Sequence, residues 1–314
     1  MTVDKNYFPG WVRKSMTFTI DDGNIRLDRR FIDTVKPYGI KGTFNLPGAY
    51  LNNYTPEFYR EFYRGYGIAN HCLNHPFVMT ESDYAAITDE PFDSESADPE
   101  RIYKTEREGM YLKRTRSGWW SKSAEDKVYC ELASEAQECL VEVFERKIPG
   151  FVWPYGEQNS DEVKEYLRNN FSSVRKTGIV SDSTGFAMPA DRYAWSYNAA
   201  HNCLNEVAKL YDDYADDGEL KFFAFGVHSH DFENGKCWDV LERFVRGYGN
   251  RHEDFYYADV DTIFEYEDAV KALNVTEEKI INGSSVDLYV KVDGARIIIP
   301  AASEVSFHDI RKEV

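Results

Sequence analysis

The chain has 314 residues, enough for one large α/β domain with or without a small appendage. Lys and Arg total 37 against 54 Asp and Glu, a formal net charge of -17, and a surface of that sign repels nucleic acid and anionic membrane alike. The five cysteines (Cys72, Cys130, Cys139, Cys203, Cys237) are odd in number and form no CxxC pair, a pattern of reducing compartments. The start, Met1-Thr2-Val3-Asp4-Lys5, lacks the apolar core of a signal peptide, and no run reaches membrane-spanning length. The expected location is therefore cytoplasmic, with no membrane and no nucleic acid as partner.

Short apolar runs alternate with segments of helical spacing. Residues 16–20 read as a strand; 27–38 carry apolar residues at helical intervals and stop at Pro37 and Gly39. A second strand is expected over 41–46, an aromatic helix over 56–64 and a brief strand over 67–70. The polar stretch 81–126 has no clear core-facing pattern, and a helix is predicted from about 128 to 146. Strand 151–153, helix 161–169, strand 173–177, helix 204–214 and the strongly apolar strand 222–227 come next. Helix 238–248, strand 255–258 and helix 260–273 complete the alternation.

Such alternation predicts an α/β fold, a parallel sheet closed or nearly closed as a distorted (β/α) barrel over residues 1–275. Residues 276–314 change character: 286–292 and 295–300 alternate around Asp293-Gly294 as a hairpin does, and form a small β appendage. Asp21 and Asp22, His71, Pro154-Tyr155-Gly156 and His228 each fall just after a predicted strand. In a (β/α) barrel those positions converge on the C-terminal face, where catalytic groups sit.

Two of these signals describe one chemistry. Asp21-Asp22-Gly23 ends the first strand in adjacent carboxylates, and His71 and His75 stand four residues apart. On a helical turn the two rings would share one side, and Pro76 then redirects the chain. Catalytic zinc-type sites use three His or carboxylate ligands and keep a position open. Asp22, His71 and His75 supply that set, and Asp21 is the spare carboxylate for proton handling. Two His and one carboxylate suit one divalent metal ion, with zinc foremost and cobalt, nickel, iron or manganese compatible.

These residues resemble the polysaccharide deacetylases of the NodB-homology type, carbohydrate esterase family 4. Thr19-Ile20-Asp21-Asp22-Gly23 matches the first motif, and Lys41-Gly42-Thr43-Phe44 the strand that usually follows. His71-Cys72-Leu73-Asn74-His75 matches the second motif, and Pro154-Tyr155-Gly156 the latter half of the third. Asp191 with Trp195 looks like the fourth, and Phe225-Gly226-Val227-His228 like the fifth. The ordered set spans about residues 16–260. The resemblance implies Asp22, His71 and His75 as metal ligands, Asp21 as general base and His228 as general acid. It also implies the Tyr155 backbone N–H at the oxyanion.

Trp195 and His230 are carried as substrate-binding candidates; His230 shares a face with His228 in an extended segment. His201 is a weaker candidate of the same kind. Three departures mark a divergent branch. Cys72 stands between the histidines in place of a hydroxyl residue, so a loop hydrogen bond is expected to weaken. Val152 stands where the third motif has Arg, which predicts that Asp21 lacks a cationic neighbour. Ala194 stands where a second Asp often precedes the Trp.

The reading is a metal-dependent hydrolase that removes acetyl, or a similar acyl group, from an N-acetylated carbohydrate-like substrate, a small molecule or an oligosaccharide. Two alternatives are hydrolysis of a non-carbohydrate C–N bond, as in allantoinase-like relatives, and a catalytically silent carbohydrate-binding protein. Retention of Asp21 beside a full ligand set argues against the silent form. The polar stretch 81–126, with Trp119-Trp120, is expected to cover the mouth of the barrel and set substrate choice.

Overall fold

The computed structural model describes residues 1–115, 117–156, 160–179 and 186–313. Eight strands build the central sheet: β1 (Lys14–Asp21), β2 (Gly42–Leu46), β3 (Gly67–Asn70), β4 (Gly150–Val152), β5 (Ser173–Ile179), β6 (Trp195–Tyr197), β7 (Lys221–His228) and β8 (Phe255–Tyr257). Their spatial order is β6-β5-β4-β3-β2-β1-β7, every neighbouring pair is parallel, and β8 also pairs with β1. β7 pairs with β1 along its full length, so β2 and β8 share the other edge of β1, β8 at Lys14–Met16 and β2 at Phe18–Asp21.

The two ends of this path meet. Ala199, just after β6, bridges Phe225 of β7 in parallel, the Asn198 N–H donates to the Ala224 carbonyl at 2.8 Å, and the Gly226 N–H donates to the Ala199 carbonyl at 2.9 Å. Gly226 is required at this junction: a Cβ there would lie 2.1 Å from the Tyr197 ring. The result is the distorted (β/α) barrel expected from the sequence.

Strand alternation sorts the side chains into two sets. Met16, Phe18 and Ile20 of β1 face the helices; Phe18 stacks on Phe225 and meets the edges of Phe31 and Phe244. Burying a side chain like Phe18 stabilises the fold by about 1.5–3 kcal/mol. The alternate residues Ser15, Thr17 and Thr19 are buried on the other side, and Thr19, Thr43, Asn45, Ser173 and Trp195 line one small internal cavity. Val152 and Val260 share that lining with the hydroxyl and amide groups, and Thr19 and Asn45 connect by hydrogen bonds up to Asp21.

The segment between His75 and the helix Asp126–Phe144 differs from expectation. It folds as a five-stranded sheet of short strands, Phe77–Val78, Ile87–Thr88, Ile102–Lys104, Met110–Arg114 and Trp120–Ala124. Met79, Ile102 and Tyr111 make its private apolar cluster. Strands of two to five residues offer too few alternations to stand out from a polar background. The C-terminal hairpin Leu288–Val292 and Ala295–Ile299 turns at Asp293-Gly294 and takes a third strand, Val3–Tyr7, from the start of the chain. No described helix is long and apolar enough to cross a membrane.

Candidate metal and proton-transfer site

Asp21 ends β1, and the chain turns immediately through left-handed backbone at Asp22 (φ 76°) and Gly23 (φ 71°). Cys72 (φ 60°), His75 (φ 53°) and Tyr155 (φ 59°) share this conformation. Such a φ costs a non-glycine residue on the order of 1–3 kcal/mol and persists where surrounding contacts enforce it. His71 and His75 thus sit on an irregular loop after β3, not on the helical turn the spacing implied. That loop is held by Asn70, whose Oδ1 accepts from the Cys72 N–H at 2.8 Å while its Nδ2 donates to the Ala133 carbonyl and to Gln137. The Cys72 thiol is fully buried, and burial pushes its pKa up.

The loop delivers both rings to one oxygen. His71 Nε2 lies 3.4 Å and His75 Nε2 3.3 Å from Asp22 Oδ1. His71 Nδ1 is 2.8 Å from the Val152 carbonyl. A carbonyl only accepts, so Nδ1 carries the proton and a neutral His71 points its Nε2 lone pair at Asp22. Asp22 Oδ1 and His71 Nε2 are both buried with no hydrogen-bond partner among the described residues. Burial followed by the neighbouring His71 pushes the His75 pKa down to about 4, so this ring is neutral at pH 7. Burial would raise the Asp22 carboxyl, but the facing His71, His228 and His75 outweigh it and hold it well below the usual range. One proton could join one ring to Asp22 Oδ1; a cation among the three atoms satisfies them all. The donor set fits a divalent metal.

Asp21 is not without a cation. Arg175, in the middle of β5 and fully buried, places Nη2 2.7 Å and 2.5 Å from the two Asp21 oxygens. Val152 and Arg175 are register partners on β4 and β5, so the guanidinium enters the site one strand over from the position the motif led us to expect. The expectation that Val152 leaves Asp21 without a cationic neighbour is thereby corrected. Asn45 Nδ2 adds a bond to Asp21 Oδ1 at 2.6 Å and one to Thr19 Oγ1, and the Tyr197 ring lies under the guanidinium. Burial works against the Asp21 charge, but Arg175, then His71 and His228, outweigh it and lower the carboxyl pKa. An arginine at the centre of a buried strand was the available signal for Arg175.

His228 ends β7, opposite Asp21 in register. Its Nδ1 pairs with Asp231 Oδ2 at 3.0 Å, which aims Nε2 at Asp22 Oδ2 (3.7 Å) and Asp21 Oδ2 (3.9 Å). Burial disfavours its charged form, yet Asp231, Asp21 and Asp22 overcome this and carry its pKa up to about 9. His230 stacks on His228 with centroids 4.7 Å apart, and His201 Nδ1 lies 3.6 Å from the same Asp231 oxygen. Asp231 escaped the sequence reading because its value depends on the short helix Ser229–Asn234 folding it back onto His228.

Tyr155 follows β4; its ring lies flat on Phe77 at 3.7 Å, meets the edge of His75, and its hydroxyl contacts Ser121 Oγ at 2.5 Å. The inserted sheet is thereby tied to the loop that carries His71 and His75. Trp120 packs inside the insertion against Phe92 and Tyr103, whereas Trp119 is 58% exposed. Trp195 is buried edge-on to Phe222 and Phe264, so it packs the core and offers no face to a ligand outside the barrel. Asp191 lies at the surface, paired with Arg168, and the carboxylate partner of His228 is Asp231.

The sequence pattern of the family described as Polysaccharide deacetylase matches residues 12–174, just over half of the chain. No curated protein matches. Among solved structures, the Xyl-CE4 domain of a multidomain xylanase from the hindgut metagenome of Trinervitermes trinervoides aligns at 15% identity and TM-score 0.46, covering 82% of this chain and 92% of that one. Peptidoglycan deacetylase PdaC from Bacillus subtilis aligns at 12% identity and TM-score 0.46, covering 83% and 94%. A family 4 carbohydrate esterase from Streptomyces lividans aligns at 12% identity and TM-score 0.42, covering 75% and 90%.

Proposed function

The chain belongs to the polysaccharide deacetylase family, and on that premise we propose that it is a metal-dependent hydrolase removing acetyl, or a similar small acyl group, from an amide nitrogen on a carbohydrate-like molecule. The observation that carries the proposal is the convergence of His71 Nε2 and His75 Nε2 on one oxygen of Asp22, beside a second carboxylate already paired with Arg175. Asp22, His71 and His75 would hold the metal. Bound there, a divalent cation supplies Lewis-acid chemistry, drawing charge from an acyl oxygen and making water easier to deprotonate.

This chain's own residues divide the remaining work. Asp21, kept ionised by Arg175 and oriented by Asn45, accepts the proton of the attacking water. His228 enters protonated, with Asp231 on Nδ1, and passes the Nε2 proton to the departing nitrogen. Both groups face the same space beside Asp22, within 4 Å of one another. The Tyr155 backbone N–H stabilises the oxyanion, and the Phe77 stack together with Ser121 fixes that residue. Exposed Trp119 on the insertion offers a flat face to a sugar ring.

The test is acetate release from N-acetylglucosamine oligomers and other N-acetylated sugars, by the wild type and by Asp21→Asn. The wild type should release acetate, and Asp21→Asn should lose about 10²–10⁴-fold in kcat. Ring opening of small cyclic amides to the free carboxylate, with no acetate from any sugar, would transfer the chain to the allantoinase-like reading.

A further inference from the structure

Asp22 has a second oxygen, and a second pair of histidines lies beside it. One nitrogen from His228, one from His230 and a carboxylate oxygen of Asp22 lie within 4.8 Å of one another. We infer that Asp22, His228 and His230 form a second, weaker divalent-cation site that shares the Asp22 carboxylate with the first and switches the enzyme off when filled. The inference rests on the reading of Asp22, His71 and His75 as the primary metal site.

Three structural features support it. First, Asp231 accepts from His228 Nδ1 at 3.0 Å, so a neutral His228 presents the Nε2 lone pair, and a carboxylate behind a ligating imidazole is the arrangement that orients such ligands. Second, the His228 and His230 rings lie parallel within 27°, and both side chains are more than a third exposed, so a hydrated cation reaches them from solvent. Third, opposite ends of the carboxylate are engaged: His71 and His75 face Oδ1, and His228 faces Oδ2 at 3.7 Å. Each of its two oxygens could thus serve a different cation. The net charge of -17 raises the local cation concentration further.

The site is weaker because the second cation shares its only carboxylate with the first and is repelled by it. Its consequence follows from His228. The proposed reaction uses His228 Nε2 on the departing nitrogen, and that same atom would be the ligand here, so a filled site leaves the nitrogen without its partner. Activity therefore rises as the first site fills and falls as the second does.

The experiment strips the full chain with chelator, equilibrates it against buffered free zinc, and counts bound zinc by mass spectrometry for wild type, His230→Ala and His75→Ala. The wild type should approach two zinc ions per chain, the second bound about tenfold or more weakly. His230→Ala should stop at one, and His75→Ala should lose the tighter ion. In the wild type, cobalt(II) absorption should grow in two steps, which reads the same stoichiometry without a variant. Acetate release should decline with the second equivalent in the wild type and show no such decline in His230→Ala. A wild type holding one zinc that His230→Ala retains overturns the inference and leaves the primary site standing. One zinc lost in His230→Ala but kept in His75→Ala supports this site and removes the primary one. No zinc in the wild type overturns both.

Discussion

Arg175 is inaccessible to solvent and Asp21 nearly so, which makes their pair sensitive to the loss of either partner. Removing the cation leaves a buried carboxylate uncompensated, a change that costs about 3–5 kcal/mol in comparable cases. Arg175→Met should therefore destabilise the protein at neutral pH by about that amount. The pH dependence has a defined sign. In the wild type the Asp21 pKa is lowered on folding, so its contribution is fully present above the unfolded carboxyl value of about 4 and fades as pH falls through the folded one. Without Arg175, burial dominates and the carboxyl pKa moves up. The stability gap between the two proteins should then be larger at pH 8 than at pH 5 in urea unfolding, and equal gaps would mean that the charge is not the reason. For the same cause the acidic limb of kcat/KM should move to higher pH in Arg175→Met. The exchange Val152→Arg with Arg175→Val returns a cation to the neighbouring register position and should bring that limb back.

Asp21, Asp22, His71, His75 and His228 were legible as a group because they stand at or after strand ends and include two pairs close in sequence, Asp21 with Asp22 and His71 with His75. Arg175, Asn45 and Asp231 were not, because what they touch depends on register between strands and on a helical turn folding back. Val152 misled for the same reason: a position was read as a loss when the neighbouring strand supplied the charge.

Among the elements, the inserted sheet between Phe77 and Ala124 is the one whose structure the sequence concealed most. The long parallel strands and amphipathic helices announced themselves through sustained periodicity; helix Trp238–Tyr248 has the bounds the spacing predicts. Strands of two to five residues carry no such statistics. The insertion touches the site through Tyr155, by the Phe77 stack and the Ser121 contact, and presents Trp119 to solvent. Trp119→Ala should raise KM on oligosaccharide by about 2- to 10-fold, the worth of an aromatic contact of 0.5–1.5 kcal/mol, with kcat and bound metal unchanged. An unchanged KM across a panel of chain lengths would assign the exposed indole no part in binding. Ser121→Ala removes one tie to Tyr155 and should lower kcat more than it changes KM, since the substrate face stays intact.

At the scale of the whole molecule, the barrel closes through few hydrogen bonds, between 198–199 and 224–226, and Gly226 makes that approach possible. Gly226→Ala forces the Tyr197 ring away from its strand and from beneath Arg175. Overpacking of this kind costs about 1–3 kcal/mol, so thermal unfolding should shift down, and activity measured well below Tm should fall as well because the Arg175 support is disturbed. A shift in Tm with undiminished activity would show that closure and site are energetically separate. Their common residues explain why they should be linked: Thr19, Asn45 and Arg175, all buried, form the hydrogen-bonded set that orients Asp21, and Tyr197 lies against Arg175.

The account turns on a cation among three named atoms. Crystals of protein purified without chelator, measured on both sides of the zinc absorption edge, test it directly. The predicted result is one strong anomalous peak enclosed by Asp22 Oδ1, His71 Nε2 and His75 Nε2, lost in His75→Ala and moved to the matching edge on substitution with cobalt. A difference map without a peak there in metal-replete crystals, or with its only peak on other ligands, would contradict the metal-dependent deacetylase proposed here.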